Sequence, residues 1–143
     1  MSLGKGCFYY CTNLSSINIP SSVSAIGEGC FEGCQALDNV KIPANVTKLA
    51  DNCFSECSSL TKIVIPSSVK SLGFECFCRC SSLTSIVLPA SIDSIGRMCF
   101  DGCKNLVSIT CLAHKPPVAD FQAFEDFAQI SPDCVINVDL KYK

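Results

Sequence analysis

The stretch CFSECSSLTKIVIPSSVKSLGFE (Cys53–Glu75) is followed without a break by CFCRCSSLTSIVLPASIDSIGRM (Cys76–Met98). The two match column by column, and the register extends both ways. Phe8, Phe31, Phe54, Phe77 and Phe100 each stand 23 residues apart. Cys7, Cys30, Cys53, Cys76 and Cys99 keep step ahead of them, and Cys11, Cys34, Cys57, Cys80 and Cys103 behind. Leucine follows at 14, 37, 60, 83 and 106, and proline at 20, 43, 66 and 89. Self-similarity at one fixed period is the signature of a repeat architecture.

Each unit reads physically. In Leu60-Thr61-Lys62-Ile63-Val64-Ile65-Pro66, Ile63 and Ile65 share one face while Lys62 and Val64 share the other. Period-2 alternation with β-branched residues predicts a short strand. Pro66 ends it, having no N–H to give to a ladder. Val69 and Leu72 are spaced like a helical or 3-10 turn. Cys76, Phe77 and Cys80 fall at i, i+1 and i+4, so one turn aims all three inward. Gly27, Ala50, Gly73 and Gly96 mark a bend in each unit.

One such unit cannot bury its own apolar face, but stacked units can. The expected fold is therefore an α/β repeat solenoid, leucine-rich-repeat-like and a right-handed superhelix. A curved parallel sheet of short strands forms its concave side, and short helical or 3-10 turns its convex side. Residues 1–110 hold about five 23-residue units, the first partial. Beyond Thr110 the register decays: Cys111 and Leu112 stand where Ile and Pro are due. Phe121, Phe124 and Phe127 are spaced to pack as one turn, and Cys134 to Val138 alternates like a last strand. Residues 111–143 are read as a C-terminal capping segment, the atypical end that a solenoid needs.

The run C/A-F-x-x-C-x-x-L-x-x-I-x-I-P-x-x-V-x-x-I/L-G, from Gly6 to about Pro117, resembles the BspA-like leucine-rich repeats. The resemblance implies a surface or secreted protein with 23-residue repeats that adheres to extracellular or host proteins. The family often has Ala where this chain has Cys30, Cys53, Cys76 and Cys99.

Composition narrows the function. Hydrophobic residues make up 48% and charged ones 17%, which argues against disorder. A net charge of −2 argues against a nucleic-acid footprint. No run of about 18 apolar residues exists to span a membrane. Met1 to Lys5 is too short and polar for a signal peptide. The repeat is entered in mid-unit at residue 6, which suggests a piece of a longer surface protein. No N-terminal cap is visible, so the first unit presents an open edge that invites pairing with another chain.

Thirteen cysteines, an odd number, leave at least one unpaired unless chains are cross-linked. Three readings are open. The columns are reduced, buried and core-filling; or neighbouring units are bridged, as Cys53 to Cys76; or Cys76-Phe77-Cys78-Arg79-Cys80 binds a metal, against the spacing of zinc sites. The first fits the spacing best. Cys78 shares its column with Tyr9, Glu32, Ser55 and Asp101, outward-facing types, and is the candidate exposed thiol.

No catalytic constellation is present. His114, the sole histidine, lies in a Pro-rich stretch away from any repeating Ser or Cys. No cofactor is implied. The candidate protein-binding surface is the outward strand strip Asn39, Lys41, Lys62, Val64, Ser85, Val87, Ser108 and Thr110, which has an apolar step at Val64 and Val87. Phe74 stands in a column of Glu28, Asp51 and Arg97, where an aromatic either folds onto its own unit or forms a second contact point. Asn13 and Asn45 match the N-glycosylation pattern. The primary reading is a non-catalytic adhesion module; the alternatives are a self-associating spacer stacking through the N-terminal edge, and a cysteine-based metal or redox protein.

Overall fold

The computed structural model describes residues 1–113, 115, 117–119 and 134–138. Each 23-residue unit is one coil of a solenoid, made of two extended segments and a turn. Strands are numbered in chain order. The Ile-x-Ile segments give β2 (Ser16–Ile17), β4 (Asn39–Val40), β7 (Ser85–Leu88) and β9 (Ser108–Cys111). The Val-x-x-Ile segments give β3 (Ala25–Ile26), β5 (Lys48–Leu49), β6 (Ser71–Leu72) and β8 (Ser94–Ile95). β1 (Ser2–Leu3) heads the second set and β10 (Val118–Ala119) ends it, while β11 (Val135–Val138) lies beside β9.

All pairing is parallel, and like columns meet: Leu49 with Leu72, Leu72 with Ile95, Ile86 with Ile109. The longest sheet is the one that the periodicity assigned to helical turns. β1-β3-β5-β6-β8-β10 is six-stranded, so Val69 and Leu72 belong to an extended segment. Between Ile-x-Ile and this segment the proline carbonyl accepts a three-residue turn bond, Val69 N–H to Pro66 at 3.0 Å.

The expected helical side is likewise corrected. Among the described residues there is no helix. The Cys-Phe-x-x-Cys segments are turns, and their backbone shows why. Two columns per unit take positive φ: Gly29, Asn52, Glu75 and Met98 in one, Gly33, Glu56, Arg79 and Gly102 in the other, all between 51° and 72°. A left-handed residue every four positions stops an α-helix from propagating. The N–H groups so released bond across coils instead of along one. Phe8 N–H donates to Cys30 at 2.8 Å, Phe31 to Cys53 at 3.0 Å, Phe54 to Cys76 at 2.9 Å and Phe77 to Cys99 at 2.9 Å. The turn side is thus a hydrogen-bonded ladder, as the Val-x-x-Ile side is.

The core runs down the axis. Phe31, Phe54, Phe77 and Phe100 are fully buried, with Leu37, Leu60, Leu83 and Leu106 beside them. Successive phenylalanine rings are 5.3–5.9 Å apart and within 5° of parallel. At the bend glycines successive coils approach closely. A Cβ on Gly96 would lie 2.4 Å from the Gly73 carbonyl carbon, and one on Gly73 would lie 2.6 Å from that of Ala50.

Candidate functional site

The Ile-x-Ile side is less regular than the other two. β2 pairs β4, and β7 pairs β9, but coil three sits between these pairs with a single bridge, Val64 to Lys41. No ladder joins Lys62–Ile65 to Ser85–Leu88. The side chains there leave two apolar hollows, one on each side of Val64. The upstream one, about 610 Å³, is lined by Val40, Ile42, Ala44, Ile63, Val64 and Pro66, with Lys41 and Lys62 as its charged groups. The downstream one, about 290 Å³, is lined by Ile63, Val64, Ile65, Val87, Pro89 and Leu112.

Alternation places each candidate residue. Val64 is 80% exposed and Val87 50%, while their inward neighbours Ile63, Ile65, Ile86 and Leu88 are buried. Asn39, Lys41, Lys62 and Ser85 are exposed in the same strip. Ser108 and Thr110 are half-buried, because β11 runs alongside them and Asn137 Nδ2 lies 3.5 Å from Ser108 Oγ. Exposed apolar groups beside open hollows are the kind of surface that marks an interaction site. The sequence pointed to Val64 and Val87 but not to the hollows, which need the broken ladder. It did carry a signal for Leu112, an apolar residue standing in the proline column.

Cys78 is not the exposed thiol. It is 5% exposed, and its Sγ points at Asp101 Oδ2, 4.0 Å away. Ser55, in the same column, is buried too. Burial, then Glu75 and Asp101, push Cys78 up to about 11. The exposed thiols are Cys7 and Cys11, in the first coil.

The other cysteines form two ladders. Cys34, Cys57, Cys80 and Cys103 donate to the carbonyls of Phe8, Phe31, Phe54 and Phe77 at 3.1–3.2 Å, each reaching back one coil. Cys30, Cys53, Cys76 and Cys99 are fully buried. Burial raises Cys30 and Cys34 to about 11 and Cys103 to about 12, and it raises Cys53, Cys57, Cys80 and Cys99 as well. A thiol held protonated is neither nucleophile nor metal ligand at neutral pH. All thirteen are free, and among the described residues no three His, Cys, Asp or Glu side chains converge to hold a metal.

Phe74 is 39% exposed, and its N–H is held by Asp51 Oδ1 at 2.9 Å. Tyr10 turns down the solenoid: its hydroxyl donates to Glu56 Oε2 at 2.9 Å across Gly33, whose missing Cβ leaves room for the ring. That hydrogen bond, with burial second, raises the Tyr10 pKa. Asn13 and Asn45 are exposed. His114, Phe121, Phe124 and Phe127 lie outside the described residues. No helix among the described residues is long and apolar enough to cross a membrane.

Comparison with known proteins agrees with this architecture. A leucine-rich repeat protein from T. pallidum superposes with a TM-score of 0.75 at 34% identity, over 77% of this chain and 51% of that one. One from Bacteroides ovatus gives 0.72 at 34% identity, over 76% and 28%. A leucine-rich cell surface protein from Faecalibacterium prausnitzii gives 0.77 at 36% identity, over 83% and 31%. The chain therefore spans about half or less of the length of each of these similar structures. A search of curated proteins gives no match. The description "BspA type Leucine rich repeat region" matches residues 1–130 in six copies. This chain, with its stacked Cys-Phe-x-x-Cys coils, belongs to the BspA-type leucine-rich repeat family.

Proposed function

We propose that the chain is a non-catalytic protein-binding module of a cell-surface or secreted protein, and that its ligand is an extracellular or host protein. The site is the Ile-x-Ile strip from Asn39 to Val87. The observation that carries this reading is Val64, a large apolar side chain 80% exposed between two apolar hollows. Binding energy concentrates where an apolar anchor can enter such a pocket. Lys41 and Lys62 rim the larger hollow and favour a ligand with carboxylates around its apolar anchor. Ser108 and Thr110, half-covered by β11, bound the strip at its downstream end. Residues 111–143 serve as the C-terminal cap. Family type and a neighbour described as a cell surface protein support the extracellular setting. Raised thiol pKa values support a non-catalytic role.

The test is an unbiased selection of peptide binders from a randomised display library against the immobilised chain. Most selected binders are expected to lose at least tenfold in affinity, about 1.4 kcal/mol, on Val64→Asp or Val87→Asp. They are expected to keep it on Phe74→Ser. Binders indifferent to both strip variants would contradict the reading.

A further inference from the structure

The two hollows on the Ile-x-Ile side share a wall. Ile63 and Val64 of coil three line both, with Val40 and Ile42 of coil two across the first and Val87 and Pro89 of coil four across the second. The hollows therefore repeat down the solenoid axis, one coil apart, with Val64 as the ridge between them. The coil step sets their separation. Successive rings step 5.4 Å from Phe31 to Phe54 and 5.7 Å from Phe54 to Phe77. On the Ile-x-Ile side no ladder joins coil three to coil four, so nothing there draws the step down to the ~4.8 Å of paired strands.

Two ligand backbones present side chains at comparable repeats. In an α-helix, i and i+4 share a face about 5–6 Å apart, close to one turn. In an extended chain, i and i+2 share a face about 6.6 Å apart. The coil step falls in the helical range and about 1 Å short of the extended one. The backbone decides the same way. A ligand that reaches both hollows crosses the strands and lies over their outward side chains, not along a strand edge. An extended chain there finds no ladder partner for its N–H and C=O groups, whereas a helix satisfies its own. The charges are one-sided: exposed Lys41 and Lys62 rim the first hollow, and no charged side chain lines the second.

We infer that the strip takes an amphipathic α-helix of a protein partner, laid along the solenoid axis over coils two to four. Two apolar side chains one turn apart, at i and i+4, enter the hollows on either side of Val64. The larger anchor fills the 610 Å³ hollow and the smaller one the 290 Å³ hollow. An Asp or Glu beside the first anchor meets Lys41 or Lys62. The inference rests on the Val64 strip being the binding site, and it adds the form and register of what binds there.

The probes are peptides selected on the whole chain from a library with no built-in conformation, taking those that lose affinity on Val64→Asp. Their apolar anchors are expected at i and i+4, with Asp or Glu next to one of them. A proline at i+3, beyond the peptide's first turn, is expected to weaken binding about tenfold or more, and alanine there less than about threefold, because proline breaks a helix. A side-chain bridge on the peptide's solvent face, from one turn to the next, is expected to tighten binding by pre-forming the helix. Lys62→Glu is expected to weaken binding, and lysine in place of the peptide's carboxylate to restore it. Peptides that need Val64 yet tolerate the proline, with anchors at i and i+2, would overturn the helix and leave the strip as the site. Peptides indifferent to Val64→Asp and Val87→Asp would overturn the strip itself, and the helix with it.

Discussion

At the residue scale, a column has to satisfy two neighbours at once, the coil above and the coil below. Phe54 lies between the rings of Phe31 and Phe77, at 5.4 and 5.7 Å. Phe54→Ala would open a gap in that stack and is expected to cost about 3–5 kcal/mol, as buried aromatic truncations do. Lys62→Ala, on an exposed position, is expected to cost less than about 0.5 kcal/mol. Urea unfolding of the two variants checks the pair, and equal costs would refute the inside and outside assignment. The thiols add a pH dependence. Burial holds Cys30 and Cys34 at about 11 in the folded chain, above the ordinary value of 9.0, and raises Cys53, Cys57, Cys80 and Cys99 too. Between those values the unfolded chain loses protons that the fold retains, so stability falls as pH rises. Thermal melts under reductant are expected to be insensitive to the thiols below about pH 8 and to drop steadily from about pH 9 towards 11. A flat profile across that range would contradict thiol burial. The inward columns were legible in the sequence because 23-residue spacing marks them directly. Cys78 was not: its column looked outward by composition, yet it is 5% exposed with its Sγ turned to Asp101 of the next coil, a contact that only stacking creates.

At the element scale, the turn side carries the sharpest lesson. Cys76, Phe77 and Cys80 have helical spacing, and all three are buried as a helical turn would bury them. Yet Glu75 and Arg79 take φ of 51° and 57°. A composition of Glu, Arg and Met in left-handed columns gives no warning, since only Gly and Asn advertise that conformation. The same inward pattern is thus served by two backbones, and inter-coil bonding selects the turn. Two substitutions separate them. Met98→Gly relieves a left-handed residue at φ 56° while loosening the unfolded chain, so it is expected to change stability by less than about 1 kcal/mol. Gly96→Ala drives a Cβ into the Gly73 backbone and is expected to cost about 1–3 kcal/mol. A helical segment would give the reverse order, Gly costing and Ala gaining, which equilibrium unfolding would reveal. The Val-x-x-Ile strands were hidden for a related reason: two residues per coil are too few to show alternation, and only stacking turns them into a six-stranded sheet.

At the scale of the whole molecule, the repeat makes the solenoid and its departures make the surfaces. The strip around Val64 was visible as an apolar step in a polar column. Its hollows were not, because they depend on coil three losing its ladder to coil four. The architecture rests on one claim, that the cysteines are reduced core residues and not bridges, ligands or nucleophiles. The most direct measurement is a time-resolved thiol count by mass spectrometry without reductant, native and then denatured. The account predicts fast native labelling of Cys7 and Cys11, slow labelling of the two buried ladders and of Cys78, and all thirteen labelled once the chain is denatured. Thiols still missing after denaturation would mean coils stapled by disulfides, and fast native labelling throughout the ladders would mean that they are not the core.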